Sequence, residues 1–201
     1  TASLAGVFFI RMLGWFEERF DRLSCPGLLK PAIGAMLLGL LGIGYILLKG
    51  SFVEQHGIVP ADPMLMNQLP GFYGSGFRFI EDALQCKISF LFLVLLIFIK
   101  PLATSFTLGS GNSGGVFAPS LFIGAMLGAL LAELAAMASL GLQTPVGMFA
   151  LLGMGAMMSG SLQAPLAGLT AMLELTDNPG VILPGMLVVV VAGITASEVF
   201  G

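Results

Sequence analysis

Charged side chains are scarce in this 201-residue chain: 9% of positions are Asp, Glu, Lys or Arg, against 57% hydrophobic. That composition cannot cover a water-exposed surface, and a mean hydropathy of +1.00 makes lipid the fitting solvent. Cations stop at Lys100, and residues 101–132, 134–173 and 178–197 hold no charged group. Each stretch is long enough for one bilayer crossing, which takes about 20 apolar residues. The net charge of −3 is small and unclustered, with no basic stripe, so nucleic acid is rejected as a partner. Two cysteines, Cys25 and Cys86, make neither a disulfide framework nor a CxxC motif and read as packed thiols. The single histidine, His56, has no neighbouring cysteine or paired carboxylate with which to hold a metal, and reads as a solvated loop residue. The chain opens at Thr1 with neither an initiating Met nor a basic signal head, and is expected to be a segment of a longer protein.

What is present is apolar sequence punctuated by glycine and proline. Residues 2–16 and 28–48 read as two spans, the second flanked by Lys30 and Lys49, which can snorkel to the interfaces. Residues 50–76 carry Pro60, Pro63, Pro70 and five glycines and read as an extramembrane excursion. Arg78, Glu81, Asp82 and Lys87 mark an interfacial helix before the apolar block 88–99, which makes another span. Beyond Lys100, Gly109–Gly115, Pro119, Pro145, Gly153, Gly155, Gly160, Pro165, Gly168, Pro179 and Pro184 read as repeated interruptions. Broken helices persist at membrane depth only where protein or a water-filled path satisfies the freed backbone groups, which is the setting of a transport site. Three parts are therefore expected: two spans in 1–49, a loop in 50–76, and a half with broken helices in 77–201.

The segment richest in chemistry is Gly109-Ser110-Gly111-Asn112-Ser113-Gly114-Gly115-Val116-Phe117-Ala118-Pro119, which runs straight into the apolar stretch 120–132. The leading N–H groups of a helix lack intrahelical partners and lie at the positive end of its macrodipole, so they can hold an anion without a full charge. Weak binding also permits release, which a pore lysine or arginine would hinder.

GGVFAP resembles the GxFxP signature of the CLC family of chloride channels and chloride/proton antiporters. Lys100-Pro101-Leu102-Ala103-Thr104, SLFIGAMLG, Gly153-Met154-Gly155-Ala156, Ala164-Pro165-Leu166 and Glu174-Leu175-Thr176-Asp177-Asn178 are similar to the family as well. The resemblance covers nearly all of 1–201 and fits the carboxy-terminal half of the family's membrane domain. It implies an all-α membrane fold, a multi-helix bundle of roughly six to eight tilted or broken helices that forms one of two inverted repeats. By that resemblance the anion-binding residues are Val116 and Phe117, through their backbone N–H groups, while Gly114, Gly115, Ala118 and Pro119 shape the motif. It also implies chloride as substrate, protons as the coupled ion in the exchanger form, no cofactor, a homodimer in the cell membrane, and the N-terminal half of the same domain as a partner. The family's GSGxP serine, gating glutamate, proton-accepting glutamate and late tyrosine have no counterpart here, so channel and exchanger both stay open.

Three other readings compete. Gly109–Gly114 formally satisfies GxGxxG, with Glu133 19 residues beyond Gly114, but a dinucleotide site needs a soluble strand before the loop. In an intramembrane enzyme the loop would expose Ser110 or Ser113 as a nucleophile, which needs a base, and neither His nor Lys follows within twenty residues. A purely structural subunit would use its glycines only to pack helices. Glu133, Glu174 and Glu198 are nominal proton-relay carboxylates, and helix-end positions are expected for them.

Overall fold

The structure, a computed structural model, describes residues 1–23, 26, 29–56, 72–85, 88, 90–138, 145–176 and 179–200. Among these residues the chain is all helical. In chain order it forms α1 (Ala2–Asp21), α2 (Leu29–His56), α3 (Phe77–Leu84), α4 (Phe90–Gly109), α5 (Phe117–Met137), α6 (Val146–Leu162), α7 (Pro165–Thr176) and α8 (Ile182–Phe200), with a 3-10 turn at Pro179–Val181 before α8. Four stretches are long and apolar enough to cross a membrane: Leu29–Leu47, Phe90–Gly109, Phe117–Met137 and Pro179–Val199. The expected short interfacial helix is α3, and α2 continues to His56, past the point where the excursion was expected to begin. Cys25, Cys86, Lys87, Asp177, Asn178 and the three prolines of the excursion lie outside the described residues.

The prolines after Lys100 occupy helix starts. Pro119 is the third residue of α5, Pro145 precedes α6, Pro165 opens α7, and Pro184 is the third residue of α8. The first turn has no intrahelical acceptor for its N–H groups, so proline loses nothing there. Pro101 is the exception, because it lies inside α4 and deprives the Ile97 carbonyl of its partner.

The glycines of α6 do not interrupt it, contrary to expectation, because each is a point of contact. Helix α6 lies in the middle of the fold and is apolar all round, with Met154, Met157 and Met158 fully buried. A Cβ on Gly153 would run into Gly124 and Gly128 of α5; one on Gly155 would meet Met172 of α7 and Val189 of α8; one on Gly160 would meet Ser3 of α1. Three glycines therefore admit four neighbours, Gly153 and Gly160 by bringing backbone against backbone and Gly155 by making room for the Met172 and Val189 side chains. Two serines tie the same layer together: Ser3 donates to the Ala192 carbonyl at 2.7 Å, and Ser159 donates to the Val189 carbonyl at 2.7 Å. The main core joins Leu93 and Leu96 of α4, Phe122 and Met126 of α5, and Met154 and Met158 of α6.

Candidate functional site

The glycine-rich loop connects the end of α4 to the start of α5, and its first turn is held from two sides. Ser110 is buried, donates to the Thr107 carbonyl at 3.0 Å and accepts from the Asn112 amide at 3.3 Å. A Cβ on Gly34 of α2 would collide with Ser110, and one on Gly109 would meet Phe16 of α1 at 3.2 Å. The Phe16 and Phe106 rings meet edge to face at 5.3 Å, which fixes α1 against the last turns of α4. Gly111 takes a φ of +88°, the left-handed conformation that turns the chain away from α4. Gly114 and Gly115 have ordinary φ values. Gly114 is closed in by the Leu108 side chain, while Gly115 borders open space.

From there the loop is exposed up to the helix. Ser113, Gly114 and Gly115 are exposed, Val116 is half-buried, and Phe117 is 45% exposed. Val116 is the N-cap of α5, with φ −88° and ψ −7°, and Phe117 is the first helical residue. The first N–H with an acceptor in this turn belongs to Ser120, which donates to the Val116 carbonyl at 3.0 Å. Among the described residues no acceptor takes the N–H groups of Val116, Phe117 or Ala118. Pro119 is buried and has no N–H to leave unpaired.

Part of this turn borders a cleft of about 410 Å3, which Val116 and Phe117 themselves do not line; Val116 packs against the cluster of Phe9, Ile123 and Met157. Gly114, Gly115, Ala118 and Pro119 form one wall; Lys100, Thr104 and Thr107 of α4 form another; and Tyr73, Gly74 and Ser75 close it. Thr104 and Thr107 turn their hydroxyls back to the carbonyls of Lys100 and Ala103, at 2.9 and 2.7 Å. Tyr73 donates to the Leu38 carbonyl of α2 at 2.9 Å. Lys100, which marked the flank of an apolar block in the sequence, is instead a buried residue in the middle of α4, and it is the residue that sequence reasoning passed over. The available signal was its position: a lysine between a twelve-residue apolar block and an uncharged one is expensive in lipid and needs a reason to be there.

The remaining candidates fall outside this cleft. Glu174 and Glu198 are exposed near the ends of α7 and α8, and Glu133 is half-buried in the last turns of α5, so all three take the helix-end positions expected of them. Ser110 is too enclosed to attack a substrate, and among the described residues no base touches Ser110 or Ser113. A helix rather than a strand precedes the loop, against the dinucleotide reading.

A chain that among its described residues is all helical, with four apolar spans and a helix start beside a cleft, defines a multi-pass membrane protein. The chain belongs to the voltage-gated chloride channel family, whose description, Voltage gated chloride channel, matches residues 1–197. Its relatives include the H(+)/Cl(-) exchange transporter ClcA of Salmonella paratyphi A, 37% identical over 115 residues, which are 57% of this chain and 24% of that protein. The protein of the same name from Vibrio vulnificus is 31% identical over 138 residues, 69% of this chain and 29% of the relative. That of Salmonella arizonae is 38% identical over 111 residues, 55% of this chain and 24% of the relative. The matched segments thus span between 24% and 29% of these relatives' lengths.

Proposed function

We propose that this chain carries one wall of a chloride pathway, in a protein that moves chloride across the cell membrane. The N–H groups of Val116 and Phe117 replace part of the ion's hydration shell. The observation that carries the reading is the start of α5: its leading amides lack acceptors among the described residues, and Ala118, together with Gly114 and Gly115 just before the helix, lines a cleft, with Val116 and Phe117 standing between them in the chain. Amide dipoles at a helix start suit an ion that must be released as readily as it is bound. The relatives' printed name favours exchange of chloride against protons. The other parts of the reading are a homodimer and a membrane domain completed by its N-terminal half, whose elements close the site from the opposite side. No covalent chemistry is involved.

The test removes one N–H and keeps the rest. In the full-length protein, an amide-to-ester replacement at residue 117 deletes the proposed donor without changing the side chain. A hydrogen bond to a charged partner contributes about 1.5–3 kcal/mol, so chloride should bind about ten- to a hundredfold more weakly by calorimetry. Phe117→Pro removes the same donor, but it also disfavours the helical conformation of Val116 that precedes it, so the ester is the decisive variant. Phe117→Ala keeps the N–H and should bind within a factor of about three of the parent, since less than 1 kcal/mol is then at stake. Undiminished affinity in the folded ester variant would refute the assignment.

A further inference from the structure

Lys100 is a cation in the middle of a membrane helix, only 2% exposed. Its Nζ donates to the carbonyls of Phe72 at 3.0 Å and Gly74 at 2.7 Å, and lies 5.0 Å from the centre of the Phe122 ring. Among the described residues no carboxylate comes within ion-pair distance of it. Two carbonyl dipoles and a ring face satisfy donors, but they supply no opposing charge. A buried charge is ordinarily paired, and an unpaired one inside a membrane protein marks a functional position.

The surroundings indicate what this charge serves. Lys100 lies on the wall of the cleft opposite Gly114, Gly115 and Ala118, and Phe122 belongs to the same helix whose first turn carries the open amides. The neighbours of Nζ come from two places, the 72–74 segment and α5. None of these described neighbours is anionic, and because Nζ is engaged by carbonyls the charge would act on the cleft through its field and not as a contact that holds the ion back.

We infer that Lys100 is a specificity-determining residue of the anion pathway: its positive charge, unpaired among the described residues, holds the cleft at a potential that admits anions and rejects cations. The amides of α5 give a permeant ion its local contacts, and Lys100 supplies the net charge that the uncharged half of the chain lacks. The inference rests on the reading of this cleft as a chloride path, but not on which amides touch the ion. A latch role, in which Lys100 only ties the 72–74 backbone to α4, is the competing account, and it needs donors rather than charge.

The test compares Lys100→Arg, Lys100→Gln and Lys100→Met in the full-length protein. Arginine keeps the charge, glutamine keeps a neutral donor, and methionine keeps only the apolar stem. Chloride affinity is read by calorimetry, and the chloride-to-potassium permeability ratio is read from reversal potentials in planar bilayers or from vesicle flux. Arginine should stay within a factor of about three of the parent, while glutamine and methionine both lose about tenfold or more in affinity and in anion preference. Glutamine retaining the parent's affinity and preference would overturn the inference in favour of a latch. Should methionine fail to fold, the arginine and glutamine pair decides the matter alone. The outcome separates from that of the ester at residue 117: loss at Lys100 with no loss at the ester leaves the charge in place and removes only the amide contact.

Discussion

The seam between α5 and α6 yields a prediction whose size can be worked out from the backbone. In Gly153→Ala the new methyl would strike the Gly124 carbonyl oxygen and lie 2.9 Å from the Gly128 Cα and 3.0 Å from the Gly128 nitrogen. Carbon atoms settle at about 3.5–4.0 Å, so the two helices must part by roughly 1 Å. No flexible side chain stands in the way that could yield, because every atom met belongs to the backbone. Overpacking of this kind costs about 1–3 kcal/mol. Gly14→Ala is the matched reference, since nothing lies within 4 Å of a Cβ there and alanine gains only its better helix propensity, about 1 kcal/mol. The propensity gain is common to both variants and cancels, so they should differ by about 1–3 kcal/mol in an unfolding equilibrium followed by circular dichroism in mixed micelles. Gly128→Ala, which strikes the Phe149 carbonyl across the same seam, should add less than its own cost to Gly153→Ala. A single separation of the helices relieves both clashes, so the coupling should reach about 1 kcal/mol. If Gly153→Ala matches Gly14→Ala to within about 0.5 kcal/mol, α6 is not held at backbone distance and the packing argument is wrong.

Other substitutions probe the elements around the loop by the same unfolding measurement. The Ser105 hydroxyl is fully buried with no partner among the described residues. An unmet hydroxyl costs about 1–3 kcal/mol, so Ser105→Ala should be neutral or stabilising by about 1 kcal/mol, and a loss of more than that would reveal a partner. Gly111→Ala should lose about 1–2 kcal/mol because an L side chain resists φ near +88°, with Gly111→Asn losing less. Gly115→Ala, in open space at an ordinary φ, should change stability little. Equal stabilities for alanine at the two positions would count against Gly111 as the turning residue.

The span-forming apolar runs and the loop leading into α5 were legible because both are local. Apolar length marked four of the spans, whereas the expected span in 2–16 and the uncharged stretch 134–173, which divides between α6 and α7, are not among the candidates; a glycine-rich loop before an apolar run marks a helix start whatever surrounds it. Gly153, Gly155 and Gly160 were misread as interruptions because glycine looks the same in a sequence whether it breaks a helix or lets another backbone lie against it. Only the neighbouring helices decide, and those contacts join residues far apart, as Gly160 joins Ser3. Proline carries the same ambiguity: Pro119 and Pro184 fall where the first turn tolerates them, and Pro101 lies inside α4. Lys100 was hidden for a different reason. A charge at the edge of an apolar block reads as an interface anchor unless the helix is known to continue beyond it, as α4 does to Gly109.

The close fit along α5 also sets its two sides apart. Toward α6, Gly124 and Gly128 leave backbone against backbone, and a gap of that kind excludes even a single water molecule. Open space beside this helix lies in two separate clefts, one shared with Tyr73, Ser75 and Thr104, the other bordered by Gly128 and Leu131 together with Thr1 and Ala192. The seam thus works as a watertight bulkhead between the two clefts, closed where two glycines leave no space.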